Sequence, residues 1–97
     1  MDFKRLKQEL DTVFEKIKSR SENGDLPPVE DVKHFVRLCD QMQTMAHEDW
    51  AFEADDFTHL ARELLQTLRQ GRTQEFFPLI DSLEVAKNYC HRTFQPM

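Results

Sequence analysis

Glycine is almost absent from this sequence, with two residues among 97, and no eighteen consecutive apolar residues occur anywhere in it. The first scarcity removes the glycine-rich loops that cradle phosphates, since Gly24 and Gly71 each stand where a turn needs one. The second removes a hydrophobic membrane span. The opening Met1-Asp2-Phe3-Lys4-Arg5-Leu6-Lys7 also lacks an apolar run of signal-peptide length, so a cytoplasmic location is expected. Cysteine is scarce as well. Cys39 and Cys90 are too few for a disulfide scaffold, and in a reducing compartment two buried thiols are the expected state rather than one bridge. Acidic residues outnumber basic ones 18 to 13, a formal net charge of -5. Neutralising phosphate needs a basic face, so neither nucleic acid nor an anionic membrane surface is an expected partner.

What is present describes a helical protein. Hydrophobic residues make up 39% of the chain and charged residues 32%, and eight residues are Phe. That balance suits a single domain over residues 1–97, which at this length buries about 65% of the surface its unfolded form exposes. From residue 2 to about 19, Phe3, Leu6, Leu10, Val13, Phe14 and Ile17 recur at three- and four-residue steps and mark the first amphipathic helix. Ser21-Glu22-Asn23-Gly24-Asp25 supplies turn chemistry, and Pro27-Pro28 can open a second helix because proline lacks only a donor that a first turn leaves unpaired.

The second stripe, over about 28–46, is Val29, Val32, Phe35, Val36, Cys39 and Met42. The third, over about 49–69, is Trp50, Ala54, Phe57, Leu60, Ala61, Leu64, Leu65 and Leu68, with Asp49 as the expected N-cap and Gly71 as the stop. The fourth, over about 74–94, is Phe76, Leu79, Ile80, Leu83, Ala86, Cys90 and Phe94, with Thr73 as the expected N-cap. Pro78 is awkward there: either the regular helix begins nearer Phe77 or its first turns are kinked. Four helices of similar length on short links predict up-down-up-down antiparallel packing. The expected core contains Leu10, Phe14, Phe35, Cys39, Phe57, Leu64, Leu83 and Phe94.

One segment carries a chemical hint. Lys87-Asn88-Tyr89-Cys90-His91, followed by Arg92-Thr93-Phe94, resembles the haem-attachment motif C-x-x-C-H with Lys87 in place of the first cysteine. In that motif two thiols form thioethers to the haem and the adjacent histidine ligates iron. Its setting, on the last helix of a four-helix bundle with an aromatic three residues on, is similar to that of cytochrome c prime. The whole chain also resembles the small bacterial family named for its XXXCH ending, whose members keep the Cys-His pair without the first cysteine. The resemblance implies His91 as an axial iron ligand, Cys90 as the single thioether and Lys87 in the position of the missing thiol. The first helix offers no His, and no Met except Met1, as an opposite ligand, which leaves a five-coordinate haem open.

The same residues have a packing explanation. With Leu83 and Phe94 at the centre of the buried stripe, Cys90 lies about 40° to one side and His91 about 60° to the other, at ~100° per residue. Both then line a core boundary, cysteine as a small hydrophobe and histidine beside a polar acceptor. Lys87 falls within the apolar arc, where its stem packs and its ammonium snorkels.

Weaker constellations lie elsewhere. Asp56-Phe57-Thr58-His59, with Asp55 and Glu63 nearby, is reminiscent of the E-x-x-H spacing of di-iron bundles, which draw that motif from two helices plus further glutamates. A single version is more simply a solvated face with helical charge pairs. Glu48, Asp49, Glu53, Asp55 and Asp56 form an acidic run suited to a cationic partner or a loosely held metal, or merely to a helix N-terminus. His34, Cys39 and Met42 with Cys90 or His91 offer soft ligands without zinc-site spacing. Val85 and Tyr89, opposite the buried stripe, suit a partner contact. With no nucleophile, base and orienter in sight, an enzyme is not expected.

The prediction is therefore an all-α, antiparallel four-helix bundle, cytochrome c prime-like but without covalent haem. Its expected role is protein interaction or an accessory scaffold, with the partner unidentified. The alternative is a haem-binding or haem-sensing protein using His91, with or without a thioether at Cys90.

Overall fold

A computed structural model describes residues 3–46 and 51–93, with backbone alone for 89–93. Four helices follow one another: α1 (Phe3–Glu22), α2 (Val29–Thr44), α3 (Ala51–Arg69) and α4 (Thr73–Thr93). No strand occurs among the described residues, and no helix there is long and apolar enough to cross a membrane. Contacts between neighbours in sequence run in opposite directions along each pair. Lys16 reaches Asp31 while Phe14 stacks on Phe35, so residue numbers fall on α1 as they rise on α2. Gln43 reaches Asp55 while the Cys39 carbonyl meets Thr58, giving the same relation between α2 and α3. Lys18 meets Glu84 and Asp11 meets Lys87, so α1 and α4 are also antiparallel. The protein is an antiparallel four-helix bundle. Its radius of gyration, 12.9 Å, matches the value of about 13 Å expected for a compact chain of about 100 residues.

Both glycines end helices in the same way. Gly24 and Gly71 have φ of 79° and 71°, the left-handed region that a Cβ disfavours. After α1, Gly24 N–H donates to the Ser21 carbonyl and Asp25 N–H to the Arg20 carbonyl; after α3, Gly71 N–H donates to Leu68 and Arg72 N–H to Thr67. These paired bonds are the Schellman pattern, which satisfies carbonyls that a helix end leaves open. They carry α1 to Glu22, three residues beyond the expected end. Pro28 stands just outside α2, with φ -61° and ψ 144°, and its carbonyl accepts from Asp31 and Val32.

The stripes meet in one core drawn from every helix: Leu6, Leu10, Phe14, Ile17, Val32, Phe35, Leu38, Cys39, Phe57, Ala61, Leu64, Phe76, Ile80 and Leu83. Phe35 lies between Phe14, stacked at 5.6 Å, and Phe57, edge-on at 5.9 Å, which ties α1, α2 and α3 together through one aromatic row. All the expected core residues are buried except Phe94, which lies outside the described residues, as do Asp49 and Trp50. Two expectations at the start of α4 change. Thr73 is the first helical residue and its hydroxyl turns back to the Gly71 carbonyl at 3.4 Å, so it is not an N-cap. The helix also runs unbroken from Thr73 through an exposed Pro78, so regular structure does not wait for Phe77.

Candidate functional site

The residues that carry the haem-motif resemblance sit on the last two turns of α4. Cys90 and His91 are helical in backbone, and their side chains lie outside the described residues. Lys87, at the position of the missing thiol, is fully described. Its side chain is only 18% exposed, and its Nζ lies 3.3 Å from Asp11 Oδ1 and 3.4 Å from Glu15 Oε1, two carboxylates one turn apart on α1. The same ammonium stands 5.4 Å from the centroid of the Phe14 ring. The lysine stem therefore covers the aromatic row where it reaches the α1–α4 seam, and the charge is shared between carboxylates and the ring face.

A second ionic contact crosses the seam one turn away, with the polarity reversed. Lys18 on α1 donates to Glu84 on α4 at 2.5 Å and lies 3.9 Å from Glu22. The hydrogen bond from Glu84 holds the Lys18 ammonium above the usual lysine range, against desolvation and with help from the charges of Glu84, Glu15 and Glu22. Fixed ammonium–carboxylate pairs of this kind orient helices. They supply neither a nucleophile nor an apolar slot. On this turn the space over Phe14 is taken by Lys87, which a haem there would have to displace from its two carboxylates.

The other sequence candidates separate in space. Phe57 and Thr58 point into the core, while Asp56 is exposed and His59, 71% exposed, pairs with Glu63 at 3.5 Å along its own helix. Asp55 accepts from Gln43 Nε2 at 2.6 Å, which places it at the α2–α3 edge. His34 is half-buried and Met42 packs against the core, whereas Cys39 is a free thiol at its centre. Burial, and after it the Asp40 carboxylate, pushes that thiol well above its usual range, so it is a protonated core group and not a thiolate ligand. Among the described residues no three His, Cys, Asp or Glu side chains are grouped to hold a metal ion.

Sequence reasoning missed four buried positions, Pro27, Leu38, Thr58 and Thr67, and one that matters for the surface, Phe52 on the first turn of α3, which is 82% exposed. Val85 is 68% exposed on the outer side of α4, as its place opposite the stripe implied. No protein-family model, no curated protein and no solved structure matches the chain.

Proposed function

We propose that this is a non-enzymatic helical-bundle protein that works by contact with another protein, as an accessory scaffold on a cytochrome c prime-like plan from which covalent haem has been lost. The observation that carries the reading is Lys87: it replaces the first thiol of the motif with an ammonium tied to Asp11 and Glu15 and laid over Phe14. A thioether at that position is chemically foreclosed, and the seam is filled by the lysine itself. Phe52 and Val85, 82% and 68% exposed on α3 and α4, are the apolar side chains from which such a contact is probed. The expected setting is the cytoplasm.

Two measurements test the reading. The intact mass of purified protein equals that of the chain, and haemin added to it produces no Soret band that His91→Ala removes. A stoichiometric haem adduct, or a His91-dependent band, replaces this proposal with haem binding. Photo-crosslinking from position 52 or 85 in an extract of the source cells gives a discrete adduct; if both positions give only the background of an unreactive control, the contact role fails.

A further inference from the structure

We propose that Lys87 is a salt-sensitive latch, which closes α1 on α4 over Phe14 and releases that end of the aromatic row when ionic strength rises. The inference is independent of the partner reading. Above the shared apolar core, the polar contacts across the seam among the described residues are charge pairs: Lys87 with Asp11 and Glu15, and Lys18 with Glu84. The lysine stem is largely covered, but Asp11 and Glu15 are 44% and 59% exposed, so mobile ions reach the acceptors. Pairs with a solvated partner are weak, and the screening length shrinks from about 10 Å at 0.1 M salt to about 3 Å at 1 M, the scale of these contacts, whereas the apolar contacts of the core are not screened.

The order of the charges makes the seam two-state rather than sliding. Along α1 the signs run Asp11, Glu15, Lys18, and along α4 they run Glu84, Lys87 in the opposite direction. A slip of about one turn in one direction brings Lys18 toward Lys87; a slip in the other brings Glu15 toward Glu84. Either puts like charges together, which is unfavourable. The seam thus has one closed arrangement, and its alternative is open. Opening uncovers Phe14, whose ring is otherwise almost wholly buried and stacked on Phe35. Pro78 sits earlier on α4, where the missing N–H removes a helical hydrogen bond and gives the distal part of the helix a place to pivot.

Native-state hydrogen exchange of the full chain at low and high sodium chloride tests the latch. The segments around Phe14 and Lys87 are expected to exchange about two- to fivefold faster at high salt, with α2 and α3 unchanged. Lys87→Met keeps the covering stem without the charge and is expected to lose most of that salt response. Asp11→Asn with Glu15→Gln removes the acceptors instead and is expected to do the same, so a folding failure of one variant leaves the other decisive. A salt response spread evenly over all four helices, or one that survives in whichever variant folds, overturns the proposal. Failure of both variants to fold also overturns it, because a latch is by definition dispensable to the closed fold.

Discussion

The hydroxyl of Thr58 lies 2.8 Å from the carbonyl oxygen of Ala54 in its own helix and 3.3 Å from that of Cys39 on α2. One proton is thus placed between an intrahelical acceptor and an interhelical one in the middle of an apolar interface. The shorter distance assigns most of the bond to Ala54, the local back-bonding by which a buried threonine satisfies itself. That is why a polar residue can sit 1% exposed on α3 without an unpaired group.

Thr58→Val preserves the shape and deletes the donor. Both carbonyls belong to helices, where backbone N–H groups already serve them, so no acceptor is stranded. The expected loss is under about 1.5 kcal/mol, whereas Thr58→Ala, which leaves a void, costs more. Urea titrations of the two variants check the order. A larger loss in the valine variant would show that the Thr58–Cys39 contact, and not packing, joins α2 to α3.

Cys39 makes the stability depend on alkaline pH. Its thiol is held above its ordinary value of 9.0 by burial first and by Asp40 second, with Arg62 pulling the other way. The native state keeps the proton where the unfolded chain gives it up. This contribution is therefore complete below the ordinary thiol value and declines above it, by up to about 1.4 kcal/mol per pH unit. Denaturation midpoints between about pH 8 and about pH 10 should fall in the parent protein and fall less in Cys39→Ala. Parallel slopes would show that the thiol titrates alike in both states. The peptide containing Cys39 should likewise resist alkylation until the protein unfolds.

The four stripes and most of the core could be read from spacing because each helix presents one dominant apolar face. Leu38 and Thr67 could not. An interior helix of the chain packs against two neighbours, so the buried arc of α2 spreads from Phe35 and Cys39 to Leu38, beyond a single stripe. Threonine reads as polar in a hydrophobic pattern although its hydroxyl can be satisfied locally. The end of α1 was legible in principle: a glycine in the left-handed position stops a helix just before it, and Gly24 sets that point later than Ser19. At the seam, the apolar arc already held Lys87. Its acceptors were hidden, because Asp11 and Glu15 lie 76 and 72 residues earlier on a helix with charges all round its outer face, and only the antiparallel pairing selects them.

Pro78 stands inside a helix at a site where nothing in the packing requires it. It is exposed, it is the sixth residue of α4, and its ring nitrogen cannot donate to the carbonyl of Gln74 one turn back. Pro78→Ala restores that bond and relieves the ring's clash with the preceding turn. Against this, alanine gives the unfolded chain more freedom to lose. The helix effect is the larger, up to about 3 kcal/mol against under about 1, so a net gain of about 1–2 kcal/mol is expected. Thermal unfolding checks it, and a loss of stability would mean that the proline ring at position 78 is needed to seat Phe76 and Ile80 together.

Gly71, like Gly24, separates backbone strain from steric crowding. A Cβ built there meets no atom within 4 Å, and the same holds at Gly24, so a methyl group has room in both turns. What opposes an L-residue is φ alone, at 71° and 79°. Gly71→Ala is therefore expected to cost about 1–2 kcal/mol, with Gly71→Asn costing less because asparagine tolerates the left-handed region. D-alanine introduced at 71 by chemical ligation gives the opposite sign. It adopts positive φ without strain and restricts the unfolded chain, so a gain of about 0.4–1 kcal/mol is expected. With the L-methyl in open space, the ordering D-Ala above Gly above L-Ala in denaturant midpoint follows if the Schellman turn is held by backbone conformation. Equal losses for the two alanine enantiomers would mean that the added methyl meets an obstruction, and the strain account of both helix ends would fall.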